Sequence, residues 1–154
     1  MDMSELIDPF ARLIADVCTP AAIRAIEEGG ETQAMWSAFA ESGFLDALVA
    51  EDAGGAGLSL ADAAPLIGLL GAHAVPLPVG DTMVARALLA SAGVSVQQGP
   101  IAIATGAGPV PFGGVAAHIL SGSPDAPVLT DGSGAATGVH HDVDAYVVGT
   151  DGTA

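Results

Sequence analysis

The chain changes its patterning once, near residue 94, and that change constrains the fold more than any motif does. Up to Gly93 it is rich in alanine and leucine, with apolar residues three and four positions apart. From Val94 onward it is rich in Gly, Val, Thr, Ser and Pro, with short apolar runs. The first spacing is that of one helix face, the second that of strands joined by turns. The expected fold is α+β: an antiparallel helical bundle over residues 1–93, then a partial β-domain over residues 94–154. A hydrophobic content of 51% sets aside intrinsic disorder.

Local signals place the helices. Asp8 is expected to cap the first, with Pro9 at its first position and Phe10, Leu13, Ile14 and Val17 following. Thr19-Pro20 repeats this pattern ahead of Ile23 and Ile26, and Gly29-Gly30 stops the segment. Thr32 opens a third helix with Met35, Trp36 and Phe39 on one stripe, ended by Gly43. Ser59 and Asp62 form a shortened capping box before Leu66, Ile67, Leu69 and Leu70. Pro65 is expected to kink that helix or delay its start. Asp81 is expected to cap a last helix carrying Val84, Ala85, Leu88 and Leu89, closed by Gly93. Five short helices with brief connections point to an antiparallel bundle. Strands are expected at Ile101–Thr105, Val115–Leu120, Val128–Thr130 and Ala145–Gly149. So few strands leave an open sheet edge, which implies a partner or more chain beyond Ala154.

Charge excludes several functions. There is no lysine, and Arg12, Arg24 and Arg86 stand against 18 acids, for a net charge of −15. A nucleic-acid binder needs clustered cations, and so does docking on anionic lipid. Residues 63–80 and 87–124 are uncharged, but proline, glycine and polar residues interrupt both, so neither reads as a membrane span. The N-terminus lacks the basic and apolar regions of a signal peptide. One cysteine, Cys18, allows no internal disulfide and reads as a core residue in a reducing compartment. A cytoplasmic protein is expected.

No catalytic set emerges from the residues themselves. Ala53-Gly54-Gly55-Ala56-Gly57 is not a Walker loop, because no Lys-Ser/Thr follows, and it lacks the strand and spacing of a Rossmann fingerprint. It reads as a tight turn into the Ser59 helix. Glu51-Asp52 reads as a solvated loop start rather than an acid–base pair. His140-His141-Asp142, with Asp144 nearby, is no metal site by regular geometry, since adjacent histidines on a strand face opposite ways. His73 and His118 are isolated, and no G-x-S-x-G is present. Trp36, Phe39 and Phe44 read as core.

The run Trp36–Leu45 leads into Leu48-Val49-Ala50-Glu51-Asp52-Ala53-Gly54-Gly55-Ala56-Gly57-Leu58-Ser59. This stretch resembles the N-terminal helical domain of the acyl-CoA dehydrogenase family. That family shows an aromatic-containing helix, a "pE-x-x-GG-x-G" loop and then a helix starting at Ser or Thr. Here Ala50 replaces the usual proline and Ala53 the frequent aromatic. Val75-Pro76-Leu77-Pro78 with Thr82 and Ala85–Gly93 is similar to divergent bacterial members. So is Val110-Pro111-Phe112-Gly113 followed by Ala117-His118-Ile119-Leu120. The resemblance covers most of residues 5–121.

The resemblance implies a flavoenzyme scaffold. FAD and an acyl-CoA thioester lie between a helical N-domain, a β-domain and a C-terminal helical domain. A carboxylate removes the proton α to the carbonyl while the β-hydride passes to the flavin. The resemblance gives Glu51, Gly54, Gly55 and Gly57 a structural place in the family loop. It carries over no catalytic residue, because the usual base lies in the C-terminal domain and nothing here corresponds to that domain. The family's T-E-x-x-x-G-S-D segment is replaced by Ala104-Thr105-Gly106-Ala107-Gly108-Pro109. The expectation is therefore an acyl-CoA dehydrogenase-like subunit or fragment. It would act on acyl-CoA only with a missing C-terminal half or a homologous subunit, and would not retain FAD alone. The alternative is a non-catalytic helical interaction module or a degenerate partner subunit. No metal is expected.

Overall fold

Thr19 and Ser59 show how locally the helices are set. In the computed structural model, which describes residues 2–132, 135–136 and 145–147, both side chains cap as their spacing requires. Thr19 Oγ1 accepts from Ala22 N at 3.2 Å and opens α2, Pro20–Glu27. Ser59 Oγ accepts from Asp62 N at 3.1 Å and donates to the Asp62 carboxylate at 2.7 Å, opening α4, Leu60–Ala72. The remaining helices are α1, Ser4–Val17, α3, Gln33–Glu41, and α5, Val79–Ser91. Short 3-10 turns occupy Phe44–Asp46, Glu51–Ala53 and Gly113–Val115.

Three expected helix starts need correction. Helix α1 begins at Ser4 rather than after Asp8, because Asp2 Oδ1 accepts from Ser4 N at 3.0 Å. That backbone bond holds the Asp2 carboxyl below its ordinary range. Pro9 lies inside α1 on an exposed face, and its missing N–H leaves the Glu5 carbonyl without its helix bond. Pro65 likewise lies exposed inside α4 and does not delay its start. Helix α5 starts at Val79 behind Pro78, so Asp81 sits within its first turn instead of capping it. Thr32 precedes α3 as expected, but its side chain makes no capping bond.

Strands β1, Ile101–Ile103, β3, His118–Ser123, and β4, Ala126–Asp131, form one sheet in the order β1-β3-β4. β1 and β3 run parallel, with Ile101 beside His118, while β3 and β4 are an antiparallel hairpin pairing Ser123 with Ala126. A second antiparallel sheet has the order β2-β6-β5, from Pro109–Pro111, Ala145–Val147 and Ala135–Ala136. The second expected strand, Val115–Leu120, is displaced: Val115 belongs to a 3-10 turn and pairing begins at His118, in β3. β2 was hidden by its two prolines, and β5 by its length of two residues. His140, His141, Asp142 and Asp144 lie outside the described residues.

The fold is α+β, and its two compositional halves share helix α5. Phe10, Ile14, Phe39, Leu45, Leu66 and Met83 fill the core between the helices. Phe10 meets Phe39 edge-on at 6.2 Å and Phe44 at 4.6 Å. On its other side α5 buries Ala85 and Leu89 against Ile101 and Leu120 of the sheet. Among the described residues no helix is long and apolar enough to cross a membrane.

Candidate functional site

The loop at Glu51–Gly57 folds back on the segment before it. Ala53 N and Gly55 N donate to Ala50 O, Gly54 N to Glu51 O, Ala56 N to Asp46 O, Gly57 N to Val49 O and Leu58 N to Ala47 O, all within 3.1 Å. A phosphate cradle needs such N–H groups free, and these six are already spent on carbonyls. Gly54 has φ of 93°. A Cβ at Gly55 would lie 2.1 Å from Val49 O, so only glycine allows this approach. Glu51 and Asp52 are exposed, and the Glu51 stem lies over Gly57.

A less visible arrangement joins α5 to β1. Thr82, fully buried, donates to Pro78 O at 2.7 Å and accepts from Ile101 N at 2.9 Å. Asp81 Oδ2 accepts from Ile103 N at 3.1 Å. The N–H groups on the outer edge of β1 are thus met by two consecutive helix residues, so this edge is not open. Burial pushes the Asp81 carboxyl above its ordinary value, against the opposing bond from Ile103. One turn on, Arg86 Nε lies 2.8 Å from Asp46 Oδ1, off the hydrogen-bonding line, and Nη2 donates to Oδ2 at 3.3 Å. This pair ties α5 to the Phe44–Asp46 turn.

Asp81 also lines a cleft of about 330 Å³, walled by the end of α4, the 74–78 turn, the start of α5 and Phe112. The two described non-glycine residues with left-handed backbone, Ala74 at φ 49° and Phe112 at φ 61°, both lie in that wall. A second cleft, of about 300 Å³, opens where Leu88 and Ile103 meet the β3–β4 turn.

The other titratable candidates are not brought into a site. His73 ends α4 in solvent. His118 Nδ1 lies 3.6 Å from the exposed Asp131 carboxylate, a surface pair of little energetic weight. Cys18 is buried with Sγ 3.7 Å from Met35 Sδ, and burial pushes its thiol up to about 11, which makes it unreactive. Among the described residues no three His, Cys, Asp or Glu gather as metal ligands.

The described clefts offer FAD no cation. Its diphosphate calls for cations or free N–H groups, yet no arginine lines the five main clefts. Arg12 and Arg24 are exposed on α1 and α2, and Arg86 is held by Asp46. The charged residues in the cleft walls are Glu41, Asp52 and Asp81, all acids.

Asp81 and Thr82 were missed as a pair because their partners lie 19 to 22 residues downstream. An acid–threonine step at a helix start is, in sequence, indistinguishable from a cap.

The profile described as "Acyl-CoA dehydrogenase, N-terminal domain" matches residues 2–99. A curated relative named Acyl-CoA dehydrogenase IpdE2, from Mycobacterium tuberculosis, is 38% identical over 96 residues, which cover 60% of this chain. The chain spans only 30% of that relative's length. No solved structure matches it. The matched residues contain all five helices, the Glu51–Gly57 loop and the Asp81-Thr82 step, and on that ground the chain belongs to the acyl-CoA dehydrogenase family.

Proposed function

We propose that the chain supplies the N-terminal part of a cytoplasmic, flavin-dependent acyl-CoA dehydrogenase, as a helical unit over residues 1–93 and a partial β unit over 94–154. In this reading it forms one wall of the site where an acyl-CoA thioester meets FAD. The catalytic base and the groups that hold the flavin come from further polypeptide, either a C-terminal half or a homologous subunit. Glu51, Gly54, Gly55 and Gly57 serve as a structural loop. The match over residues 2–99 carries the assignment. Clefts that hold no arginine, and whose charged residues are Glu41, Asp52 and Asp81, support the need for a second polypeptide.

The test compares the purified chain alone with the chain co-expressed with a complementary dehydrogenase polypeptide. Alone it is expected to be colourless and inactive with acyl-CoA and a dye acceptor. Together the two are expected to co-purify with visible flavin absorbance and reduce the dye. Stoichiometric FAD and turnover from the single chain would overturn the division of labour. Failure of any complementary chain to associate would overturn the assembly.

A further inference from the structure

We propose that Asp131-Gly132 is a covalent modification site, where the main chain passes spontaneously from the α- to the β-carboxyl of Asp131, and that the end of strand β4 guards it. The chemistry needs only these two residues and water. The Gly132 nitrogen attacks Asp131 Cγ, an N–C bond forms, and the carboxyl OH leaves as water with the amide proton. Water then opens the five-membered imide at one of its two carbonyls, giving back aspartate or giving isoaspartate. The water lost in the first step is regained in the second, and nothing is oxidised or reduced. Glycine favours the attack because it sets no side chain beside the nitrogen. Of the two Asp-Gly steps in the sequence, this is the one among the described residues.

Two contacts restrain the step. Gly132 N donates to Ala117 O at 2.8 Å, so the attacking nitrogen is committed to a carbonyl. A Cβ at Gly132 would lie 2.3 Å from Ala116 O, so the segment leading into β3 leaves room there only for glycine. Packing therefore imposes the residue that makes the step reactive. The Asp131 carboxylate is 94% exposed, and His118 Nδ1, its cross-strand neighbour, lies 3.6 Å away. That is too long for a hydrogen bond, so the carboxyl is free to turn toward Gly132. The guard is the backbone and not the His118 pair. Opening the end of β4 frees the nitrogen. In isoaspartate the main chain runs through Cβ and is one carbon longer, so Gly132 no longer returns beneath Ala116 O and the strand end stays open.

The full chain is aged at neutral pH beside a synthetic peptide of residues 126–137. Isoaspartate at residue 131 is read by electron-transfer fragmentation, and each chain's rate is divided by that of its own peptide. The folded chain is expected to react about two- to tenfold more slowly than the peptide, the factor for opening one backbone hydrogen bond. Urea above the unfolding midpoint is expected to remove the difference. Gly132→Ala drives the strand end off Ala116 O and is expected to bring the ratio to about one, with unchanged helicity. His118→Ala is expected to leave the ratio as it is. A folded chain that reacts as fast as its peptide, or an unfolded chain that forms no isoaspartate at residue 131, would overturn the proposal. So would a Gly132→Ala chain that stays protected, or a His118→Ala chain that loses protection.

Discussion

Ala74 follows the last turn of α4 in the place where glycine usually ends a helix. Its N–H donates to Gly71 O at 3.1 Å, and the next N–H, of Val75, reaches Leu70 O at 3.0 Å. This double closure requires a left-handed residue. An alanine there costs roughly 1–2 kcal/mol of steric strain, and glycine would return about 0.4–1 kcal/mol of that as unfolded-state entropy. Ala74→Gly is therefore expected to stabilise the chain by about 0.5–1 kcal/mol, read as a higher urea midpoint at constant slope. If the midpoint falls, the alanine methyl is contributing packing that outweighs the strain. None of this shows in the sequence. A glycine in a loop advertises an unusual backbone, as Gly54 and Gly55 do, whereas an alanine or phenylalanine in the same conformation looks ordinary.

Helix α5 is the element on which both halves depend. Thr82→Val keeps the side-chain shape but leaves Ile101 N–H without its buried acceptor. That is expected to cost about 1–3 kcal/mol in denaturant unfolding. Asp81 contributes with a definite pH sign. Its folded value is raised, so the folded chain holds this proton more tightly than the unfolded chain does. The associated stability is complete below the unfolded value and is lost as pH rises through the folded one. Asp81→Asn has no such titration. Its thermal midpoint relative to the parent is expected to rise as pH climbs from the ordinary carboxylate range through the raised folded value, then level off. A constant difference across that range would mean that burial does not shift this carboxyl. The helix starts at Thr19 and Ser59 were legible because a cap and its partner lie within three residues. The roles of Asp81 and Thr82 were not, because only the folded chain brings β1 to them. The same limit applies to Pro9 and Pro65, which read as helix starts or breaks but are tolerated on exposed helix faces.

The whole molecule carries a net charge of −15 with three arginines. Self-repulsion of that size opposes the compact state, and salt screens it over about 10 Å at 0.1 M. The thermal midpoint is therefore expected to climb with added sodium chloride and to flatten once screening is complete. A falling midpoint would show that the Arg86–Asp46 pair outweighs the general repulsion. The family assignment and the α+β order were legible at this scale, because loop spacing and the switch in periodicity survive in a single sequence. The border in composition near residue 94 is nevertheless not a seam in the packing, since Ala85 and Leu89 share a core with Ile101 and Leu120. A helix held to a strand at one point can swivel about it. Helix α5 is held at two neighbouring residues, to two donors on one strand, and can neither roll nor slide without breaking both. Any shape change that accompanies a ligand or a second polypeptide must carry α5 along with the sheet. Through the Arg86–Asp46 pair and the core around Met83, that movement is passed on to the helical side, across the border that composition marks.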